Sequence, residues 1–347
     1  MREVDRFSPS VRMNQIQVIG THNSYHVEPE PELLRVLLEY SPEAARLRYS
    51  HPCLWEQLEV EKVRQLELDV WPDPAGGLFQ KRAGLALIGR DTQAGEPQLD
   101  LPGFKVLHIP HIDYRTNCLT LRAGLEEIRA WSDANPGHIP IMILIEVKGR
   151  VPPLLAELGV QPPVLCGDAE LDSLDQEILE VFPREQLLLP DDIRRGKGSL
   201  EEGLLRFGWP TLQEAAGRVF FALDNTDEIR DKYLKGRPAL EERVLFTSSL
   251  PGSPSAAFIK ANNPLGESGR QIQAWVRQGY LVRTMADPPL AEISPDNHTR
   301  AEAALASGAH SISTDFPRPN ATGYQVKLPG GEMRPARLNP VTGRQEG

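Results

Sequence analysis

Short runs of apolar residues alternate with amphipathic stretches along most of the 347-residue chain. Eight of these runs have the length and composition of β-strands that neighbouring elements cover on both faces. They comprise residues 16–20, 65–71, 105–109, 139–147, 218–224, 244–249, 280–286 and 311–315. Residues 186–190 could form a further strand, so the pattern predicts eight or nine.

Helices are predicted between several of these strands, where apolar residues recur at intervals of three and four. One such stripe spans residues 121–131 and is followed by Asn-Pro-Gly, which ends helices. A second stripe spans residues 272–276 and ends before Gly279. Asp296 is placed to cap a third helix, which would run to Gly308.

The alternation of strands and helices predicts an α/β fold, with a TIM (β/α)8-type barrel, regular or irregular, as the favoured architecture. A doubly wound sheet is the competing architecture. We expect one catalytic barrel over residues 1–317, with a long loop at 72–103 and a mostly helical insertion at 149–217. Residues 318–347 lack periodicity and are predicted to form a polar tail over the surface.

The chain carries a formal net charge of −10, and its isoelectric point is about 5.4. This acidity argues against nucleic acid as a partner and against broad electrostatic attraction to an anionic membrane. An anionic substrate would therefore need local attraction from a metal ion, a lysine or an arginine. We expect the protein to act as a monomer.

The apolar runs are too short to cross a membrane, because a spanning helix needs roughly 20 apolar residues. The N-terminal segment lacks the apolar core of a signal peptide. We expect a secreted protein whose signal is absent from this sequence or has been removed, while a cytoplasmic location stays open. The three cysteines show no CxxC spacing, which argues against zinc and leaves room for one disulfide.

Polar residues follow several predicted strands at their carboxyl ends, which is where the active site of a TIM barrel lies. His22 and Asn23 come directly after the first strand, although either could be structural. In the second strand, Glu67 and Asp69 project from the same face, where two acids need a cation or a proton between them. An edge strand with one solvated face would also explain this pair.

The third and fourth predicted strands end in a similar way. His108 and His111 lie at the end of the third, while Glu146 and Lys148 share one face of the fourth. A neutralising ion pair is the simplest alternative for the latter two. Together, four strand ends present two imidazoles, three carboxylates and one amide oxygen, and this set favours Ca²⁺ or Mg²⁺ over zinc. Two histidines beside such an ion suit phosphodiester chemistry.

These segments resemble the X-region of phosphoinositide-specific phospholipases C, and most of all the bacterial calcium-dependent branch. The matching segments are residues 19–25, 66–69, 106–108, 143–146, 279–284 and 308–315. They follow one another over most of the chain, and a His-Asn pair before a Leu-Glu-Leu-Asp strand is specific in combination. The resemblance implies a TIM barrel, Ca²⁺ as the cofactor, a phospholipid substrate and peripheral contact with a membrane.

The resemblance also implies roles for individual residues. His22 and His108 are similar to the two catalytic histidines of the family. His111 is a second match for the latter role, because Thr116 follows it at a spacing like that of the eukaryotic enzymes. We prefer His108, which directly follows the apolar strand. The implied calcium ligands are Asn23, Glu67, Asp69 and Glu146.

The expected reaction begins with attack of the inositol 2-hydroxyl on the adjacent phosphorus, with Glu67 or Glu146 taking its proton. His22 would donate to a phosphoryl oxygen, and His108 would protonate the departing diacylglycerol oxygen. The product would be inositol 1,2-cyclic phosphate, with or without later hydrolysis. The candidate contacts with the phosphate or the ring hydroxyls are Lys81, Lys148, Arg283 and His111.

Three other functions fit parts of this pattern. A glycerophosphodiester phosphodiesterase acting on deacylated glycerophosphoinositol shares the barrel and the metal site, but that family shows His-Arg in place of His22-Asn23. An inactive inositide-binding barrel would not need all six site residues. A sugar-processing barrel with Glu67 and Glu146 as its acid–base pair would leave the histidines without roles.

Overall fold

The computed structural model describes residues 2–152, 155, 158–289, 292–294 and 296–343. Its strands, numbered β1 to β10 along the chain, are Ile16–Thr21, Gln65–Trp71, Lys105–Val106, Ile141–Val147, Val219–Leu223, Leu245–Thr247, Phe258–Lys260, Leu281–Met285, Ser311–Thr314 and Arg337–Leu338. Eight of them are parallel neighbours in the order β6-β5-β4-β2-β1-β9-β8-β7. A single bridge between Ser248 and Phe258 brings the two edges together, so the sheet forms a nearly closed TIM-type barrel.

Seven of the eight predicted strands lie in this barrel. Residues 105–106 form only a short antiparallel strand against β2, outside the parallel ring, so the third predicted barrel strand was wrong. The eighth barrel strand is β7, which is three residues long and too short to stand out as an apolar run. Residues 186–190 do not form a ninth strand. They comprise the end of a 3-10 helix, a single parallel bridge from Leu187 to Val219 of β5, and the first residue of a helix.

The helices, numbered α1 to α9 along the described chain, are Pro31–Tyr40, Leu54–Glu59, Leu121–Ala134, Asp168–Val181, Pro190–Arg194, Leu200–Phe207, Glu228–Leu234, Gly266–Gln278 and Thr299–Ala306. Shorter 3-10 helices are Glu3–Arg6, Met13–Gln15, Pro42–Leu47, Ala83–Ile88, Pro97–Asp100 and Arg184–Gln186. The helix predicted around 121–131 begins at the Thr120 cap, whose side chain accepts from the Ala123 amide. Gly279 ends α8 in the left-handed conformation, as the sequence predicts. Asp296 does not cap α9, which begins after His298, so that prediction was wrong.

A second apolar cluster lies beside the barrel core, formed mostly by segments that follow β1 and β2, with Trp71 of β2 and Leu155 beyond β4 added to it. We call residues 26–50 and 72–119 the cap, because they leave the carboxyl ends of these two strands. The cluster packs α1 against the 3-10 helix Ala83–Ile88 and neighbouring loops. Its buried members are Leu33, Leu34, Leu37, Leu47, Trp71, Phe79, Leu85, Leu99, Leu107, Ile112, Tyr114 and Leu155. The cap thus has an apolar core of its own at the end of the barrel where the polar strand ends lie.

The segment after Pro317 is attached to the barrel at several points. Strand β10 pairs antiparallel with β1, and Tyr324, Val326 and Leu328 are buried in the main core. This segment therefore contributes to the core as well as covering the surface, while residues 344–347 of the predicted tail lie outside the described residues. Cys53, Cys118 and Cys166 are free thiols. Within the described ranges, no helix is both long and apolar enough to span a membrane.

Candidate active site

Glu67, Asp69 and Glu146 converge at the carboxyl end of the barrel. The register between β2 and β4 places Asp69 opposite Glu146, and Glu67 projects from the same face as Asp69. One carboxylate oxygen of each residue lies within 4.8 Å of the other two. Oxygens that bind one Ca²⁺ are at most roughly 5 Å apart, because each lies about 2.3–2.6 Å from the ion. The spacing of this acid cluster therefore fits a shared calcium ion.

Lys148 lies against the same cluster. Its Nζ is 3.0 Å from Asp69 Oδ2 and 3.1 Å from Glu146 Oε1. The ion pair between Glu146 and Lys148 that the sequence allowed is thus present, and it extends to Asp69. Burial raises the pKa of Glu146, and the charge of Asp69 raises it further. Both oxygens of Asp69 are buried, and among the described residues they have no well-oriented hydrogen-bond partner apart from the Lys148 ammonium, so a cation could take its place.

Glu67 connects the acid cluster to two basic side chains. Arg283, in β8, donates to Glu67 Oε2 at 2.6 Å, and His22 Nε2 lies 3.6 Å from Glu67 Oε1. Burial raises the pKa of Glu67 to about 7, although Arg283 and His22 pull it down. A carboxyl group whose pKa is close to neutrality can both accept and return a proton.

The loop after β1 is tied to β2 by a serine. The Ser24 amide donates to the Glu67 carbonyl at 2.9 Å, and Ser24 Oγ accepts from the Glu67 amide at 2.8 Å. These two hydrogen bonds continue the contact between β1 and β2 beyond the last paired residues of β1. They therefore hold Asn23, the neighbour of Ser24, close to β2.

Asn23 has a left-handed backbone with φ of +43°, which asparagine tolerates better than most residues. Its side-chain amide donates to the Tyr49 hydroxyl at 3.0 Å. The amide oxygen is therefore turned toward Tyr25, whose hydroxyl lies 3.5 Å away and close to Asp69. The Tyr25 hydroxyl therefore lies near both the Asn23 oxygen and Asp69 of the acid cluster.

His22 lies between two carboxylates. Its Nδ1 donates to Asp315 Oδ1 at 2.8 Å, and its Nε2 faces Glu67. The register pairs Thr21 of β1 with Thr314 of β9, so the residues that follow these two are neighbours. Burial alone would lower the pKa of His22, but Asp315 and Glu67 outweigh it and raise the pKa to about 10. His22 therefore carries a proton at neutral pH.

His108 belongs to the cap and not to a barrel strand. Its Nδ1 donates to Asp113 Oδ2 at 2.6 Å. The other ring nitrogen, Nε2, is thereby left for a ligand. His26 contacts the same carboxylate, with its Nε2 3.0 Å from both oxygens of Asp113.

A cavity of about 520 Å³ brings the two histidines to one space. The polar lining includes His22, Asn23, Tyr49 and His108, together with the charged residues Arg46, Arg48, Asp287, Arg300 and Asp315. Part of its wall is apolar and is formed by Met285, Pro288, Pro289, Ile293 and Phe316. A ligand with a polar head and some apolar surface matches this mixed lining.

Two of the sequence candidates lie in the cap. Lys81 is exposed, and its backbone bridges Gln93. His111 uses Nδ1 to contact the Lys81 carbonyl, and its ring packs near Phe79. The structure therefore groups His108 with His22 around one cavity, and it places His111 and Lys81 within the cap's own packing.

Sequence reasoning did not single out several residues of the site. Asp315 could have been found from the sequence, because it follows the last barrel strand and the last strand of a closed barrel neighbours the first. Asp224 and Lys260 form an ion pair of 2.6 Å at the ends of β5 and β7, but β7 was not recognised. Asp113 and His26 carried no signal, since their contact depends on the folding of the cap.

The family of Ca²⁺-dependent phosphoinositide phospholipases C matches this chain over residues 11–340. A solved calcium-dependent phosphoinositol-specific phospholipase C from Pseudomonas sp., in an apo form, superposes with a TM-score of 0.58 at 18% identity, covering 97% of this chain and 98% of its own. The Ca²⁺-dependent phosphatidylinositol-specific phospholipase C of Streptomyces antibioticus gives a TM-score of 0.54 at 19% identity, with coverage of 89% and 96%. These two superpositions show the shared fold. No curated protein sequence gives a significant match.

The family match includes the barrel from β1 to β10 and every candidate residue of the site. Its calcium dependence agrees with the oxygen-rich acid cluster at the end of β2 and β4. The chain therefore belongs to the Ca²⁺-dependent phosphoinositide phospholipase C family.

Proposed function

We propose that this enzyme cleaves phosphatidylinositol into diacylglycerol and inositol 1,2-cyclic phosphate, with His22 and His108 acting on opposite sides of the phosphate. The observation that carries this proposal is that both imidazoles line one cavity, each oriented by its own carboxylate. The acid cluster lies at the His22 side of that space. The reaction needs charge stabilisation and two proton transfers, and these groups can supply both.

The attacking side of the reaction is assigned to the barrel. The oxygen of the inositol 2-hydroxyl forms a bond to phosphorus while Glu67 accepts its proton, and Glu146 is the alternative acceptor. His22, protonated at neutral pH, donates a hydrogen bond from Nε2 to a phosphoryl oxygen as charge develops there.

The leaving side is assigned to His108. As the bond between phosphorus and the glycerol oxygen breaks, the proton on His108 Nε2 passes to that oxygen and diacylglycerol departs. The hydrogen bond from Nδ1 to Asp113 keeps the ring in the orientation that this transfer needs. Hydrolysis of the cyclic product would use the same groups in the reverse sense.

The calcium ligands are proposed to be Asn23, Glu67, Asp69 and Glu146. When bound, Ca²⁺ supplies positive charge that stabilises the phosphate oxygens and lowers the pKa of a hydroxyl group. The residues themselves fit this ion, because all four donors are oxygens and the buried oxygens of Asp69 have the Lys148 ammonium as their partner, a cation that calcium can replace.

Lys148 and Arg283 are proposed to contact the phosphate or the ring hydroxyls from the floor of the site. Both lie beside carboxylates of the acid cluster, at 3.0 Å from Asp69 and 2.6 Å from Glu67. Lys81 and His111 were candidates for the same contacts. Because both side chains lie within the cap, they are weaker candidates for contact with the phosphate or the ring hydroxyls.

Access to the lipid is proposed to involve peripheral contact with a membrane surface by a monomeric, secreted bacterial protein. The apolar wall of the cavity supports an acylated substrate. The net charge of −10 argues that any such contact is not driven by general attraction to anionic lipid.

The test is an assay with two substrates, phosphatidylinositol in mixed micelles and glycerophosphoinositol in solution, each titrated with calcium. Phosphorus NMR of the products should show inositol 1,2-cyclic phosphate from the lipid. Faster turnover of glycerophosphoinositol, with release of an acyclic phosphate, would favour the glycerophosphodiesterase alternative. Binding of inositol without turnover of either substrate would favour an inactive inositide-binding barrel.

A further inference from the structure

The Asp113 carboxylate is shared by two imidazoles. We propose that His26, acting through Asp113, positions His108 for proton donation to the leaving oxygen. This inference rests on the proposed function, in which His108 is the group that protonates the departing alkoxide. His26 does not itself line the cavity and reaches it only through Tyr49 and His108, so it is a positioning residue and not a catalytic one.

Asp113 is fully buried and has well-defined partners on both sides. His108 Nδ1 lies 2.6 Å from Oδ2, and His26 Nε2 lies 3.0 Å from each carboxylate oxygen. The contact of His26 with both oxygens anchors the position of the carboxylate, and the His108 bond to Oδ2 restrains its rotation. The two imidazoles together therefore hold Oδ2 where it accepts the His108 proton.

The His26 ring is itself held from several directions. Its Nδ1 lies 3.0 Å from the Tyr49 carbonyl, and its face stacks on the Tyr49 ring with 4.3 Å between centroids. Its backbone accepts from the His51 amide at 2.9 Å and donates to the Asn23 carbonyl at 2.8 Å. Because the ring is completely buried, it cannot turn without breaking these contacts.

The two imidazoles meet nearly at right angles. Their centroids are 5.8 Å apart and the interplanar angle is 89°, so the edge of one ring faces the other. This contact adds a steric limit to the rotation of His108. Only His108 of the pair reaches the cavity, and the fixed Nδ1 leaves its Nε2 for the leaving oxygen. His26 thus restricts both the position and the tautomer of His108.

Other buried histidines show that this arrangement is particular to the site. His310 accepts from the Val282 amide through Nδ1 and faces the Asn14 carbonyl through Nε2. His138 contacts the Ser132 hydroxyl and the Ile139 carbonyl. Both therefore satisfy backbone or hydroxyl groups, whereas His26 uses one nitrogen to orient the carboxylate that serves a second histidine.

The same three side chains have the composition of a metal site, since ligand atoms of His26, His108 and Asp113 lie within 4.8 Å of one another. The direct nitrogen–oxygen distances of 2.6–3.0 Å are those of hydrogen bonds, with a proton between each pair. The distances therefore favour hydrogen bonds among these three side chains over a shared metal ion. Metal binding is tested together with the positioning role.

The experiment compares substrates that differ in how much they need protonation of the leaving group. Phosphatidylinositol releases an alkoxide, which needs the proton from His108. The 4-nitrophenyl ester of inositol 1-phosphate releases a stabilised phenolate, which does not. His26→Gln and Asp113→Asn should lower kcat on the lipid on the order of 10–100-fold with KM little changed. The same variants should lose less than about threefold on the nitrophenyl ester.

Two controls separate positioning from general damage. His138→Gln removes a buried histidine far from the cavity, and it should lower the melting temperature without changing the ratio of rates on the two substrates. Asp315→Asn alters the His22 side, and it should reduce turnover of both substrates. Melting temperatures of all variants, measured with calcium bound, show whether each protein is folded.

If His26→Gln and Asp113→Asn lower kcat equally on both substrates, the positioning role is overturned and only a structural role is left. Stoichiometric Zn²⁺ binding that disappears in both variants would overturn it in favour of a metal site. If the unaltered protein cleaves neither diester, the proposed function itself fails, and that outcome is distinct from both of these. Selective loss on the lipid, by either folded variant, supports the proposal.

Discussion

The two histidine–carboxylate pairs of this site are held in place by different parts of the molecule. His22 and Asp315 follow neighbouring barrel strands whose register pairs Thr21 with Thr314. His108 and Asp113 lie five residues apart in one loop of the cap, and the second imidazole of His26 braces them. The first pair is placed by a backbone ladder and the second by side-chain hydrogen bonds.

The difference separates the chemistry into two halves. The barrel-borne half contains His22, Asp315 and the acid cluster, where charge is stabilised and the nucleophile is activated. The cap-borne half contains His26, His108 and Asp113, where the leaving group is protonated. Because the cap has its own apolar cluster, the cap-borne half is held by packing distinct from the main core of the barrel. We therefore expect that substitutions can damage the two halves separately.

The largest expected effect comes from removing calcium. Turnover of phosphatidylinositol should be lost in EDTA and restored by Ca²⁺, and Mg²⁺ should substitute poorly because it demands tighter octahedral geometry. Circular dichroism should stay native, since the barrel core consists of apolar strands that need no ion. Calcium should raise the melting temperature by relieving repulsion among the three acids. Full activity in EDTA would contradict a metal role for the barrel-borne half.

Removing either imidazole comes next. His22→Ala and His108→Ala should each lower kcat on the order of 10²–10⁴-fold while the protein stays folded. His111→Ala is the matched control, because its ring contacts the Lys81 carbonyl within the cap. Steady-state assays with circular dichroism measure both effects. A severe loss in His111→Ala with a mild one in His108→Ala would exchange the two assignments.

The third prediction concerns the pH dependence of the stability that the His22–Asp315 pair provides. His22 has a pKa of about 10 in the folded protein, above the value of about 6.5 expected when unfolded. The stabilisation by its pair with Asp315 should therefore be complete below about pH 6.5 and be lost as the pH rises towards 10.

Asp315→Asn removes the main charge that raises this pKa, so it should lower the melting temperature more at pH 6 than at pH 10. For cleavage of the 4-nitrophenyl ester, which does not need the proton from His108, the alkaline limb of the pH–rate profile should also move to lower pH. Asp113→Asn serves as the comparison and should leave that limb in place. A difference in melting temperature that grows with pH would refute the assignment.

The smallest effect is expected at Lys148, whose ammonium lies between two proposed calcium ligands. Calcium binding must displace or shift this group, so Lys148→Met should tighten calcium binding by roughly tenfold, or about 1.4 kcal/mol. The metal-free protein should melt at a lower temperature, because Asp69 and Glu146 lose their counter-ion.

Calorimetric titration with calcium measures this change without relying on turnover. Lys260→Met is the matched control, because Lys260 pairs with Asp224 and does not lie between the ligands. His26→Gln, in the cap-borne half, should leave calcium affinity unchanged. Weaker calcium binding by Lys148→Met would mean that the ammonium supports the ion and does not compete with it.

Much of the barrel-borne half was predictable from local pattern. Alternation in Leu-Glu-Leu-Asp placed Glu67 and Asp69 on one face, because side chains of a strand alternate with period two. The long apolar run before Glu146 predicted a buried strand, and in a barrel such strands end at the same rim. Strand β7 could not be predicted in this way, since three residues are too few to define a period.

The cap-borne half could not be derived in the same manner. His108 was expected at the end of a barrel strand, yet only residues 105–106 pair with β2, and they do so antiparallel. The histidine reaches the cavity because the loop turns back and Asp113 captures its ring. The sequence offers no periodicity for such a loop, and several aspartates could have served as the partner.

The amino-acid sequence by itself thus determined the barrel, the acids that share a strand face and the histidine that follows the first strand, because each depends on local periodicity and on strands ending at one rim. Only the tertiary structure decided that Asp315 orients His22, that Asp113 and His26 orient His108, and that Lys148 lies between Asp69 and Glu146. Those contacts join residues distant in sequence or carried by irregular loops. Their geometry depends on strand register and on how the cap packs, which no local pattern encodes.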